Sequence, residues 1–347
     1  MDNFYEWLLP FALAFLVSVI IAPPIISRLR RQKIGQTISK DGPKSHFSKA
    51  GTPTMGGIII VVGIFAGSFA VLFDRGSGYT FANGDVNSRS FLAVALLIAL
   101  YTILGLIDDY LTIRPIRGVR GIASKPKAAI QVIIAALFVY VIAFAHGATF
   151  DRTLYVLQKP LLSENLYLIF AVLFIVGMSN FVNITDGLDG LVSGLVAVAA
   201  IAFWFVLGFT DAHHMPAISG ILWAIAGSCV AFLWFNTNPA KVFMGDTGSL
   251  ALGVALPAIA IIMHREILMI IICSVFVMDG LSTAIQWAVF KFTRITTGTG
   301  RRVFKKSPIH HHFELCGWPE QTVTVRFWIM GVIAAVIAFA GAVYGLW

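Results

Sequence analysis

Charge is scarce in this 347-residue chain: Asp, Glu, Lys and Arg together make up 12% of it, against about 25% in a soluble domain. So few ionised groups cannot cover a water-facing globule, so the solvent for most of the surface is lipid. Apolar residues supply 58% of the chain and the mean hydropathy is +0.85. Cysteine is nearly absent too. Cys229 and Cys273 fall in apolar runs and Cys316 in a loop, with no spacing that suits a metal or a disulfide framework. Internal repeats, low-complexity segments and linkers are also missing, so residues 1–347 read as one domain. The first apolar run has no basic region before it and no small-residue cleavage site after it, so it reads as a span and not a leader.

What is abundant is apolar runs near the 20 or so residues that cross a bilayer. They cover about 5–26, 55–73, 90–111, 128–146, 165–182, 190–209, 216–235, 248–263, 266–290 and 327–346. This pattern predicts an all-α polytopic integral membrane protein with ten transmembrane helices. The 28 Phe and 8 Trp suit its interfaces. An even number of spans puts both termini on one side. Of 25 Lys and Arg, 20 fall in the loops 27–54, 112–127, 183–189, 236–247 and 291–326. The positive-inside rule makes those loops cytoplasmic and both termini extracytoplasmic. The net charge of +8 then speaks of orientation and anionic membrane lipid, with no soluble basic domain to bind nucleic acid.

Five polar clusters lie in or beside those cytoplasmic loops: "SKAGTPTMGG", "LIDDY", "NITDGLDG", "FNTNPAKVFMGDTGS" and "SPIHHHFE". Five clusters on one face imply one site. Asp108 and Asp109 end the third run, where adjacent carboxylates repel and a helix C-terminus already carries partial negative charge. A cation or a raised pKa should compensate, unless the pair stays exposed among headgroups. Asn183, Asp186 and Asp189 stand three apart, so a helical segment would converge them on one polar ligand or cation. Gly187 and Gly190 allow a plain turn instead. Lys49, Thr52, Thr54 and the pair Gly56-Gly57 precede a span, an arrangement that suits a phosphate cradle at a helix start or ordinary loop chemistry. No Walker A ending is present. His310, His311 and His312 lack zinc spacing and suit donors to an anion or a solvated turn. Asp279 is an acid inside the ninth run: a functional group, or a tie for backbone freed by a break at Gly280. Asp246 either caps the helix that follows it or holds a metal ion.

In this order, "LIDDY", "NITDGLDG", "FNTNPA", "FMGDTGS" and "SPIHHHFE" resemble the polyprenyl-phosphate N-acetylhexosamine-1-phosphate transferases. "GTPTMGG" and "PIHHHFE" are similar to the branch that handles phospho-MurNAc-pentapeptide; relatives that transfer GlcNAc-phosphate carry a different histidine-and-arginine pattern in the last cytoplasmic loop. The resemblance runs from Lys49 to Glu314. It implies a reaction in the bacterial cytoplasmic membrane: UDP-MurNAc-pentapeptide and undecaprenyl phosphate give lipid I and UMP, with Mg²⁺ required, as the first membrane step of peptidoglycan synthesis. A homodimer is compatible with it. The resemblance also implies roles. Asp246 would ligate Mg²⁺, and Asp108 would be base or orienter for the lipid phosphate, with Asp109 in support. Asn183, Asp186, Asp189, Asn236, Phe243 and Gly245 would surround the nucleotide, with Lys49 and Thr54 near the uracil. His310, His311 and His312 would meet the diphosphate or sugar, and Lys125 and Lys127 the phosphate charge. A sibling transferase using UDP-GlcNAc is the nearest alternative. An Asp-rich aromatic prenyltransferase lacks its second motif here, and a transporter would need charges at the midplane of several spans, where only Asp279 stands.

Overall fold

The computed structural model describes residues 4–32, 49, 51–70, 86–115, 118, 120–145, 152–156, 159–209 and 216–345. Most of the first basic loop, with Lys33, Lys40 and Lys44, and the far end of the second apolar run lie outside the described residues. The apolar runs fold as helices because lipid offers no hydrogen-bond partner to the backbone. They are α1 (Phe4–Arg31), α2 (Gly57–Ala70), α3 (Val86–Ile113), α4 (Ser124–Ala145), α5 (Glu164–Thr185), α6 (Leu191–Phe209), α7 (Pro216–Asn236), α8 (Gly245–Ile262), α9 (Glu266–Ile272), α10 (Ser274–Thr297), α11 (Ile309–Leu315) and α12 (Glu320–Val343). A two-residue antiparallel ladder, β1 (Tyr155–Val156) with β2 (Lys159–Pro160), closes the loop before α5.

Eight of these helices are long and apolar enough to cross a membrane, so the chain is a multi-pass all-α membrane protein. The ninth apolar run is not one straight helix. It breaks at Cys273, where α9 and α10 meet at 81°. The break falls seven residues before Gly280, so Gly280 does not mark it; Gly280 packs face-on against the Phe181 ring, where a Cβ would collide. The second run supplies only the shorter apolar helix Gly57–Phe69 among the described residues.

α8 is the central helix. In its span 89% of residues are buried, against 28% for α1. It packs against α2, α3 and α5, and glycines set how closely. A Cβ at Gly57 would strike the Gly248 backbone, one at Gly105 the Asp246 carbonyl, and one at Gly253 would sit 2.6 Å from Ser179 Cα. Small residues at such crossings let backbones approach without a large hydrophobic driving force between helices. The lipid-facing sides, such as Ile133, Leu137 and Phe144 on α4, are exposed and apolar. The close crossings near the start of α8 fix what happens at that end of the bundle.

Candidate active site

α8 starts at Gly245, whose φ is +70°. A side chain there would be strained, and its Cβ would lie 2.5 Å from Asp109 Oδ2 and 2.8 Å from Thr54 Oγ1. The turn aims the first N–H groups of α8 at α3. Asp109 accepts from Asp246 N at 3.1 Å, Thr247 N at 3.0 Å and Thr247 Oγ1 at 2.6 Å. The cap of α8 therefore comes from another helix, while Met244 at its own N-cap position makes no side-chain bond. Asp246 does not cap. Its Oδ1 accepts from Asn183 Nδ2 at 2.8 Å and its Oδ2 pairs with Lys127.

Lys127, in the first turn of α4, also lies 3.6 Å from Asp108 Oδ2, and Asp108 Oδ1 accepts from Ile122 N at 2.8 Å. Asn183, near the end of α5, donates to Ser249 Oγ at 2.9 Å as well, which fixes its amide. Asp186 follows α5 and accepts the Gly245 N–H. Burial, then the like charges of Asp246, Asp109 and Asp189, push its carboxyl up to about 8. Asp108 and Asp246 thus share one ammonium group, with the carboxyls of Asp109 and Asp186 close to Asp246. Like charges this close are compensated by a proton or a cation. Among the described residues no group of three His, Cys, Asp or Glu side chains is arranged to hold a metal by itself. A magnesium ion takes one or two carboxylates and completes its octahedron with water and substrate phosphate. The hard oxygen donors of Asp246 and Asp108, the two carboxylates that Lys127 joins, suit that ion.

Other sequence-singled residues have structural partners. Lys49 bridges Asp189 Oδ1 at 2.7 Å and Glu320 Oε1 at 2.5 Å. Asp189 Oδ2 also accepts from Asn238 Nδ2 at 3.0 Å and Ala240 N at 3.1 Å. Of the three residues spaced three apart, Asn183 and Asp186 reach the cluster around Asp246 and Asp189 does not: the helix ends at Thr185, and Asp189 goes into this strut. Asn236 spends its side chain on the backbone, accepting from Gly190 N at 3.0 Å and donating to Val242 O at 2.9 Å. The glycine pair forms no phosphate cradle. Gly56 N donates to Phe243 O at 2.8 Å and Gly57 N to Met244 O at 2.9 Å, so these N–H groups anchor the strand-like approach to α8. Phe243 N completes that pairing through Pro53 O at 2.8 Å. Thr54 is buried beside Gly245. Lys125 is exposed and has no side-chain partner among the described residues.

Two of the three histidines stay together and the third departs. His310 is fully buried, its Nδ1 2.6 Å from Asp279 Oδ2. His311 Nδ1 lies 2.6 Å from Glu314 Oε2. Burial lowers the His311 pKa to about 4 despite the opposing pull of Glu314, so its ring is neutral at physiological pH. Both present Nε2 to Gly187, in the turn after Asp186. His312 turns back into its own loop, where its Nδ1 accepts from Lys305 N at 3.1 Å and its ring meets Phe304 edge-on. Glu320 lies outside every quoted cluster, and Glu314 and Asn238 lie within two of them without being singled out; the strut and ring contacts identify all three.

Comparisons with known proteins identify a family. Residues 91–264 match the family model described as glycosyl transferase family 4, and residues 49–61 match the phospho-N-acetylmuramoyl-pentapeptide-transferase signature 1. The chain is 42% identical to a phospho-N-acetylmuramoyl-pentapeptide-transferase of Bacillus cytotoxicus, over 96% of both chains. It is 43% identical to one of Shouchella clausii, over 99% of both, and 43% identical to one of Bacillus velezensis, over 94% of both.

Proposed function

The chain belongs to glycosyl transferase family 4 and, within it, to the phospho-N-acetylmuramoyl-pentapeptide-transferases, and on that premise we propose how its site works. It transfers phospho-MurNAc-pentapeptide from UDP-MurNAc-pentapeptide to undecaprenyl phosphate, giving lipid I and UMP. The observation that carries this reading is the bridge Asp108–Lys127–Asp246, held against Asn183 and Asp186 at one end of the bundle. One substrate is a soluble anion and the other a lipid phosphate, and a polar cluster at the ends of apolar helices is where the two can meet.

In the transfer, an oxygen of the lipid phosphate attacks the β-phosphorus of the sugar nucleotide. The bond from that phosphorus to the bridging oxygen breaks, and UMP leaves with the electron pair. Lys127 exchanges its carboxylate partners for phosphate oxygens. Asp108 orients the incoming lipid phosphate, and Asn183 holds Asp246 in place while Asp109 fixes the start of α8. A divalent cation, when bound, neutralises the diphosphate; Asp246 would hold it, with Asp108 as a further oxygen donor. This account places the site at the cytoplasmic face of a bacterial inner membrane, with ten spans made of the eight long helices, the broken α9–α10 pair and α2.

The test is UMP release by the purified protein with undecaprenyl phosphate and each of two sugar nucleotides. UDP-MurNAc-pentapeptide should support release and UDP-GlcNAc should not. Release from UDP-GlcNAc alone would move the chain to the sibling activity.

A further inference from the structure

Asp279 has no place in the transfer as described, yet it is a fully buried acid in a membrane protein. It lies on α10, six residues beyond the break at Cys273, and both it and His310 have 0% side-chain exposure. An ionisable group so placed needs a partner. Asp279 Oδ2 takes His310 Nδ1 at 2.6 Å, and its Oδ1 accepts the His310 backbone N–H at 3.2 Å. One turn further along α10, Ser282 Oγ accepts Ile309 N at 2.9 Å. These bonds seat the start of the short helix α11 on α10.

The chemistry of the pair is directional. A carboxylate only accepts, so His310 Nδ1 must carry its proton, and Nε2 is the nitrogen left to meet a ligand. That Nε2 is buried and has no hydrogen-bond partner among the described residues. It faces Gly187, where a Cβ would come within 2.5 Å of it and 3.3 Å of His311 Nε2. Gly187 adjoins Asp186, at the edge of the acid cluster. A bare buried nitrogen beside a glycine in the wall of a site suits a ligand hydroxyl that donates to it.

We infer that Asp279 is a positioning residue for the transfer: through Nδ1 it fixes the tautomer and orientation of His310, so that the unprotonated Nε2 accepts a hydrogen bond from a hydroxyl group of the sugar nucleotide beside Gly187. This rests on the transferase reading above. Carboxylates that orient metal-ligating histidines are worth about 10–100-fold, and a histidine that meets a substrate is oriented by the same kind of bond. The competing account is that Asp279 only docks α11.

A double-mutant cycle separates the two. Asp279→Asn keeps one acceptor and the shape but cannot serve both His310 groups. It should lower kcat/KM for UDP-MurNAc-pentapeptide about 10–100-fold, and His310→Ala should do at least as much. The double variant should be no worse than His310→Ala, because Asp279 acts only through that ring. Ser282→Ala removes the other anchor of α11 and should cost far less. Losses that multiply in the double variant, or a Ser282→Ala loss equal to that of Asp279→Asn, would establish docking alone and overturn the inference. The ¹⁵N resonances of His310, assigned by their absence in His310→Ala, give a readout independent of turnover. The wild-type protein should show a protonated Nδ1, and an Nε2–H tautomer would overturn the inference even if Asp279→Asn fails to fold. A wild-type protein that releases no UMP would instead count against the transferase reading.

Discussion

Both oxygens of Asp109 go to the start of α8, and both oxygens of Asp246 face away from it, to Asn183 and Lys127. Capping and ligand binding are thus divided between two aspartates that the sequence presents as equally suspect. Asp246→Asn leaves the cap untouched, so melting should change little while UMP release falls by about 10²–10³-fold, as for other lost electrostatic groups at reaction centres. Asp109→Asn should lower melting and activity together, because its loss unpicks a cap worth about 0.5–2 kcal/mol. Equal melting losses in the two variants would refute that division. Asp186 supplies a pH test. Its folded pKa of about 8 stands above the ordinary carboxyl value of 3.8, so the folded state holds a proton that the unfolded chain has lost. That contribution to stability is full below about pH 4 and disappears as pH rises to about 8. Melting of the metal-free protein should therefore fall across that window, and Asp186→Asn should flatten the fall. Magnesium should raise melting more at pH 8.5 than at pH 6, since an ionised Asp186 adds negative charge beside Asp246.

At the scale of elements, the start of α8 depends on how closely α3 can lie against it. Gly105 makes that approach possible, and a methyl group there meets the Asp246 carbonyl. Gly105→Ala should destabilise the protein by about 1–3 kcal/mol, as overpacking does, and should reduce activity by pulling Asp109 off its cap. Gly177→Ala, with nothing within 4 Å of its Cβ, is the control and should be silent in both melting and UMP release. The helices themselves were legible in the sequence, because a run of apolar residues in lipid has no other way to satisfy its backbone. The break at Cys273 was not, because Ile271 to Val277 is as apolar as a straight helix would be. The glycine pair before α2 misled for a related reason: glycine at a helix start suits an anion and a close backbone crossing equally well, and only the bonds from Gly56 N and Gly57 N to Phe243 O and Met244 O decide.

Across the whole molecule, residues as far apart in sequence as Lys49, Asp189 and Glu320 close on one another, as do Asp108, Lys127, Asn183 and Asp246. That the polar clusters share one end was readable from the asymmetry of Lys and Arg. Which of their residues touch was not, since the loops that join them carry no periodic signal. Sidedness has a direct check in the native cysteines. Cys229 and Cys273 are buried and Cys316 is exposed at the end of α11. A membrane-impermeant maleimide should label Cys316 in inverted vesicles and spare it in right-side-out vesicles; labelling from the outside would reverse the topology. The account as a whole stands on one assay: UMP release by the purified protein from UDP-MurNAc-pentapeptide and undecaprenyl phosphate, with and without Mg²⁺. It predicts release that needs both substrates, stops when the cation is chelated and returns when Mg²⁺ is restored. Release that continues unchanged in chelator, or no release with both substrates and Mg²⁺ present, would contradict it.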